Sequence, residues 1–216
     1  MLHARRRPQS THNAPVDADF DRLLTERLVI RRFAPPDAEP FARYRSLPDV
    51  ARYQSWEAPY SIERARAFVD WMGSHHPDER GEWYQFAIST REQPTILIGD
   101  CAFHGRVAEP MIADIGYTME PSFQGHGYAS EAVAELVRYL IEDRGKHKVC
   151  ADCDTRNDGS WKLLERLGFR REGEIRGAFR DGDGWASEYL YGMLAEDWRQ
   201  RATLDANPSH GTGSTP

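Results

Sequence analysis

Cysteine is scarce: the 216 residues hold three, Cys101, Cys150 and Cys153. So sparse and odd a set excludes a disulfide framework. Cys150 and Cys153 form a Cys-x-x-Cys, but within a predicted strand, where side chains three apart point to opposite faces. A buried, reduced pair is therefore expected, and neither a redox motif nor a metal site. Histidine and cysteine show no metal-ligand spacing elsewhere, and no metal is expected. Long apolar runs are missing too, which excludes a helical membrane span. A basic excess is lacking: 28 Lys and Arg stand against 34 Asp and Glu, a net charge of −6. A nucleic-acid partner would leave a basic footprint, so none is expected. Met1 to Arg7 is basic but no apolar stretch follows it. No secretion signal is read there, and a reducing cytoplasm is expected.

What is present suffices for one domain with tails. Residues 1–20, with Arg5-Arg6-Arg7 and little apolar content, read as a disordered arm. Residues 21–204 carry the periodic segments, and 205–216 have the composition of a disordered tail. Strands are predicted at Leu28 to Phe33, Trp83 to Thr90, Ile96 to Val107, Met111 to Met119, Lys148 to Asp154, Arg171 to Phe179 and Trp185 to Leu194. Helices are predicted at Asp37 to Leu47, at Ser61 to His75 with Ser61 as N-cap, at Ala129 to Arg144, and shortly after Asn157. The segment Arg52 to Tyr60 is aromatic, with Tyr53, Trp56 and Tyr60. It reads either as the roof of an acceptor site or as ordinary loop packing.

The chain is organised around Pro121 to Ala132, a glycine-rich turn between a strand and a helix. Gly125 and Gly127 permit a tight turn with no side chain in the way. The first helical amides lack intrahelical partners and carry the positive end of the helix dipole, which suits a phosphate or pyrophosphate. Neither the lysine-containing P-loop nor the three-glycine dinucleotide pattern is present.

Gln124, Gly127 and Ala129 form Gln-x-x-Gly-x-Ala, which resembles the acetyl-CoA pyrophosphate loop of the GNAT superfamily of N-acetyltransferases. About thirty residues later Asn157-x-x-Ser160, a short helix and Leu167-Gly168-Phe169 are similar to a second block of that family. Arg27-Leu28, Ile115-Gly116-Tyr117, Tyr128 to Ala132 and Arg171-Glu172-Gly173 resemble the RimJ/RimL branch. The resemblance implies an α/β (α+β) fold: a mixed, mostly antiparallel central sheet of about seven strands flanked by helices. In that fold a bulge splays one strand pair into a wedge that takes acetyl-CoA.

It also implies site residues. The amides of Gln124, Gly125, His126, Gly127, Tyr128, Ala129 and Ser130 would bind the pyrophosphate. Tyr117, Thr118 and Met119 would offer backbone groups to the pantetheine, and the Met119 amide would polarise the thioester carbonyl. Asn157 would contact the pantetheine arm, cap the helix, or both. Many members protonate the leaving sulfur with a tyrosine four residues before the glycine of Gly-Phe; here Leu164 stands there. Ser160 is then expected to be the acid, or to anchor a water that acts as one. Asp114 is the first candidate base, with Glu57, Glu82 and His104 as alternatives. The expected activity is acetyl-CoA-dependent N-acetylation of a primary amine, either a protein N-terminus or a small-molecule amine, by a monomer or homodimer. The alternative is a catalytically degenerate acetyl-CoA-binding regulatory module, which the Leu164 departure would suit.

Overall fold

The computed structural model describes residues 22–77 and 81–206, the last five by their backbone. The expected arm, and the expected tail beyond Ala206, lie outside the described residues. The strands are β1 (Arg22–Leu24), β2 (Leu28–Arg31), β3 (Trp83–Thr90), β4 (Gly99–Gly105), β5 (Ile112–Met119), β6 (Lys148–Asp154), β7 (Arg170–Asp181) and β8 (Gly184–Leu194). They form one sheet in the order β1-β2-β3-β4-β5-β6-β8-β7. Seven of the eight match the predicted segments. The additional strand, β1, is three residues long and too short to show a period, and it is held by antiparallel pairing with β2.

Every pairing is antiparallel except that of β5 with β6. A parallel neighbour needs a crossover, and helix α4 (Tyr128–Arg138) with a π-helical turn (Tyr139–Asp143) supplies it. Ala132, Val133, Leu136, Val137, Leu140 and Ile141, the stripe visible in the sequence, are all fully buried. The wider π turn keeps Tyr139, Leu140 and Ile141 inward together. This stripe packs on Phe86, Phe103, Ile115 and Val149 of the sheet, joined by Leu163 and Leu164 from α5 (Asp158–Arg166). Burying each large aliphatic side chain contributes about 1.5–3 kcal/mol.

The opposite face of the sheet carries α1 (Ala38–Arg45), α2 (Pro48–Ala51) and α3 (Ile62–Ser74). Phe41, Tyr44, Val69 and Met72 pack there on Ala87 and Leu97. Phe68 stacks on Phe41 with ring centroids 4.9 Å apart. Helices α1 and α3 lie where the sequence puts them, and the Ser61 hydroxyl accepts from the Arg64 amide as N-cap. The final helix, α6 (Ala195–Ala206), has no strong apolar stripe and so leaves no signal in the sequence; it runs two residues into the expected tail. Among the described residues no helix is long and apolar enough to cross a membrane.

Candidate active site

β5 and β6 pair only over Ile112–Asp114 with Lys148–Cys150, after which Ile115 to Met119 leaves β6. The expected bulge is not what separates them. From Gly105↔Ala113 to Gly99↔Met119 the register of β5 on β4 is unbroken. β5 stays on β4, while β6 follows β8 along its whole length. The two halves of the sheet therefore diverge, and the split opens toward the end of β5.

Backbone alternation decides which groups face the split. Antiparallel partners alternate between pairs that exchange hydrogen bonds and pairs that do not. The Glu120 amide donates to the Ile98 carbonyl at 2.9 Å. Stepping back along the register, Thr118 exchanges bonds with Asp100, whereas Met119 and Tyr117 direct their backbone groups away from β4. Tyr117 and Met119, two of the three residues expected to offer backbone groups, thus turn those groups away from β4. Thr118 does not: its backbone is committed to β4, because only every second residue of a strand faces a given neighbour.

A 3-10 turn, Pro121–Phe123, leads from β5 into the loop. The Gln124 side chain donates to the Met119 carbonyl at 3.0 Å, tying the loop to the strand end. The Gln124 amide donates to Pro121 at 3.2 Å, so the expected run of anion-binding amides loses its first member. Gly125 (φ +76°) and Gly127 (φ +82°) adopt left-handed backbone, and a Cβ on Gly125 would meet open space. Gly127 is the N-cap of α4. No described residue accepts from the amides of Gly125, His126, Gly127, Tyr128, Ala129 or Ser130. Six N–H groups at the positive end of an amphipathic helix fit a pyrophosphate.

A second element braces this loop. Thr25 to Leu28 forms the turn before β2, and there Arg27 donates from Nε to Glu131 at 2.6 Å and from Nη1 to the His126 carbonyl at 3.0 Å. The Arg27 amide also donates to Glu131, at 2.8 Å. The guanidinium lies 4.7 Å from the centre of the Tyr128 ring. A Cβ added to Gly127 would lie 3.3 Å from Arg27 Nη2. In the sequence Arg27 stands out only as part of Arg27-Leu28. Its place beside a loop about a hundred residues away follows from the register of β2 in the sheet.

At the other side of the split, Asn157 caps α5, its side chain accepting from the Ser160 amide at 3.2 Å. Ser160 Oγ lies 2.8 Å from the Tyr117 hydroxyl. Burial pushes the Tyr117 phenol above its ordinary range, the Ser160 bond opposing this to a smaller degree. Burial likewise pushes the neighbouring Cys153 thiol up to about 11, again opposed by a hydrogen bond with Ser160. Leu164 is fully buried in the core.

The candidate bases fare differently. Asp114 is held by Arg106 through two bonds, at 2.8 and 2.5 Å, with His104 Nδ1 at 3.6 Å. It also lies five residues from Met119, roughly 17 Å along an extended strand. Asp114 and His104 are therefore paired with their neighbours, well away from the Met119 end of β5. Glu57 and Glu82 are exposed. The register of β6 with β8 puts two unforeseen carboxylates, Asp152 and Glu188, on the Asp114 face of the sheet. Burial raises both pKa values, nearby carboxylates adding to it, and no described residue forms an ion pair with either. The aromatic segment packs against two neighbouring elements. Trp56 Nε1 donates to the Arg45 carbonyl at 3.1 Å within the packed core, and the Tyr53 hydroxyl reaches the Arg156 carbonyl at 3.4 Å, before α5. Among the described residues no group of side chains could hold a metal ion.

Residues 27–170 match the acetyltransferase (GNAT) domain family. The chain is 30% identical to the uncharacterized N-acetyltransferase YnaD of Bacillus subtilis (strain 168), over 82% of its own length and 98% of that protein. It is 26% identical to the [ribosomal protein uS5]-alanine N-acetyltransferase of Escherichia coli (strain K12), over 82% and 92% of the two chains. A solved GNAT-family acetyltransferase from Bacillus anthracis superposes with a TM-score of 0.70 at 31% identity, covering 81% of this chain and 99% of that one. Mycobacterium smegmatis RimJ, solved with CoA-disulfide, shares the fold with a TM-score of 0.67 at 18% identity, over 82% and 89% of the chains.

Proposed function

Since the chain belongs to the GNAT family of acetyltransferases, we propose that it transfers acetyl from acetyl-CoA to the α-amine of a protein or peptide N-terminus. The observation that carries this reading is the split between β5 and β6, which runs from the outward amide of Met119 to the free amides after Gln124. Gly125 to Ser130 hold the pyrophosphate. Tyr117 and Met119 hold the pantetheine through backbone groups, and the Met119 amide stabilises the oxyanion. One such donor is worth about 3 kcal/mol in the transition state. Asn157 fixes the first turn of α5, and Ser160 protonates the leaving sulfur.

The acceptor follows from the base. Asp114 is paired and distant, so among the described residues it does not serve as a strong base at the thioester. An α-amine, with a pKa near 8, loses its proton to water far more readily than a lysine near 10.4. Asp152 and Glu188 give the open face a negative potential that favours an ammonium at encounter. One relative is named an N-acetyltransferase of an alanine in ribosomal protein uS5, and the amine an alanine residue can offer is its α-amine, which supports the same class. Small-molecule amines form the second acceptor class to be tested.

The test is CoA release on a panel of peptides with free N-termini, peptides with blocked N-termini and internal lysine, and small amines. Turnover is expected with free N-termini. Activity confined to lysine or small amines would overturn the acceptor assignment. Acetyl-CoA binding without turnover on any amine would favour a regulatory module instead.

A further inference from the structure

Leu164 stands in the core where many GNAT enzymes carry the acidic tyrosine, yet a phenol does reach the first turn of α5, from a different element. We propose that Tyr117 is a positioning residue for acetyl transfer: its hydroxyl donates to Ser160 Oγ and so directs the Ser160 hydrogen toward the leaving sulfur. This rests on the acetyltransferase reading above.

The geometry is specific. Tyr117 belongs to the part of β5 that has left β6, and its side chain packs against the core beneath α4 and α5. Its hydroxyl lies 2.8 Å from Ser160 Oγ and 3.3 Å from the Ser160 carbonyl. Ser160 is fixed in turn, since its amide donates to Asn157 at 3.2 Å to the side chain and 3.0 Å to the carbonyl. A serine hydroxyl has one hydrogen. If Tyr117 donates to Oγ, that hydrogen is left for another acceptor. Burial keeps the phenol protonated through neutral pH, so Tyr117 remains a donor throughout.

The step balances. The amine nitrogen forms the C–N bond, and the oxyanion collapses with rupture of the C–S bond. Sulfur takes the Ser160 hydrogen, while the proton lost by nitrogen returns to Ser160 Oγ through water. Tyr117 gains and loses no proton; it holds Oγ in place and stabilises its developing negative charge.

The experiment compares the native chain, Tyr117→Phe, Ser160→Ala and the double variant, with acetyl-CoA affinity measured by calorimetry. Tyr117→Phe should lower kcat about ten- to hundredfold, with acetyl-CoA affinity changed less than about twofold. In the Ser160→Ala background it should lower kcat by no more than about twofold, since two residues acting as one unit do not add. Independently of activity, the isotope-labelled Tyr117 ring signal, assigned by its absence in Tyr117→Phe, should shift in Ser160→Ala. Additive losses, full activity of Tyr117→Phe, or an unshifted Tyr117 signal would each overturn the proposal. So would a Tyr117→Phe chain that no longer melts cooperatively, because the hydroxyl would then serve the fold. A native chain that turns over no amine would count against the acetyltransferase reading instead.

Discussion

At the scale of single residues, Glu131 shows how the site is held. Burial raises its carboxyl, but hydrogen bonds from Thr25 and Arg27 outweigh this and hold it below the ordinary glutamate value. A carboxyl whose folded pKa is depressed contributes stability that is fully present above the unfolded value, about 4.3. That contribution is lost as pH falls through the lowered folded value. Arg27 is 45% exposed and Glu131 18%, so solvent discounts the pair, and about 1 kcal/mol is a fair magnitude. Glu131→Gln is expected to lower the melting temperature at neutral pH by roughly 2–4 °C. The deficit should shrink between about pH 5 and pH 3. Melting curves across that range check it; a deficit constant with pH would show that the carboxylate charge contributes nothing. The sequence displayed both residues but not their meeting, since nothing local relates a turn before β2 to the first turn of α4.

At the scale of elements, the loop from β5 to α4 was legible almost whole. Two glycines, a strand before them and a helical stripe after them are local signals, and the structure gives both glycines positive φ. Gly127→Asp is expected to weaken acetyl-CoA binding at least about tenfold. A non-glycine residue in left-handed backbone costs about 1–2 kcal/mol, and the carboxylate would stand beside the amides that attract phosphate. Calorimetric titration decides it, and unchanged affinity in a folded variant would mean that the loop does not hold the cofactor. The elements the sequence missed share one physical reason. β1 and α2 span three and four residues, and α6 lacks a strong apolar stripe, so none shows a period to read. The absent bulge is instructive as well. Strand separation here needs no extra residue, because the twist of two half-sheets, each with its own partners, suffices.

For the molecule as a whole, acetyl-CoA is expected to bind the folded chain and not the unfolded one. At a hundredfold excess over its Kd the gain is about 2.7 kcal/mol, or roughly 5–10 °C in melting temperature. Melting with and without the cofactor measures this, and no shift at millimolar acetyl-CoA would sink the cofactor assignment. What the sequence determined by itself was every feature encoded within a few consecutive residues. Those are the α4 stripe, the glycine turn, the Asn157 cap and seven of the strand segments. Tertiary structure alone decided which of these face one another. It put the Tyr117 hydroxyl on Ser160, closed Arg27 over the loop and committed Thr118 to β4. It also paired Asp114 with Arg106. Periodicity and turn chemistry act through neighbours along the chain, whereas strand order and register join residues far apart in it, and a catalytic arrangement is made of the second kind of contact.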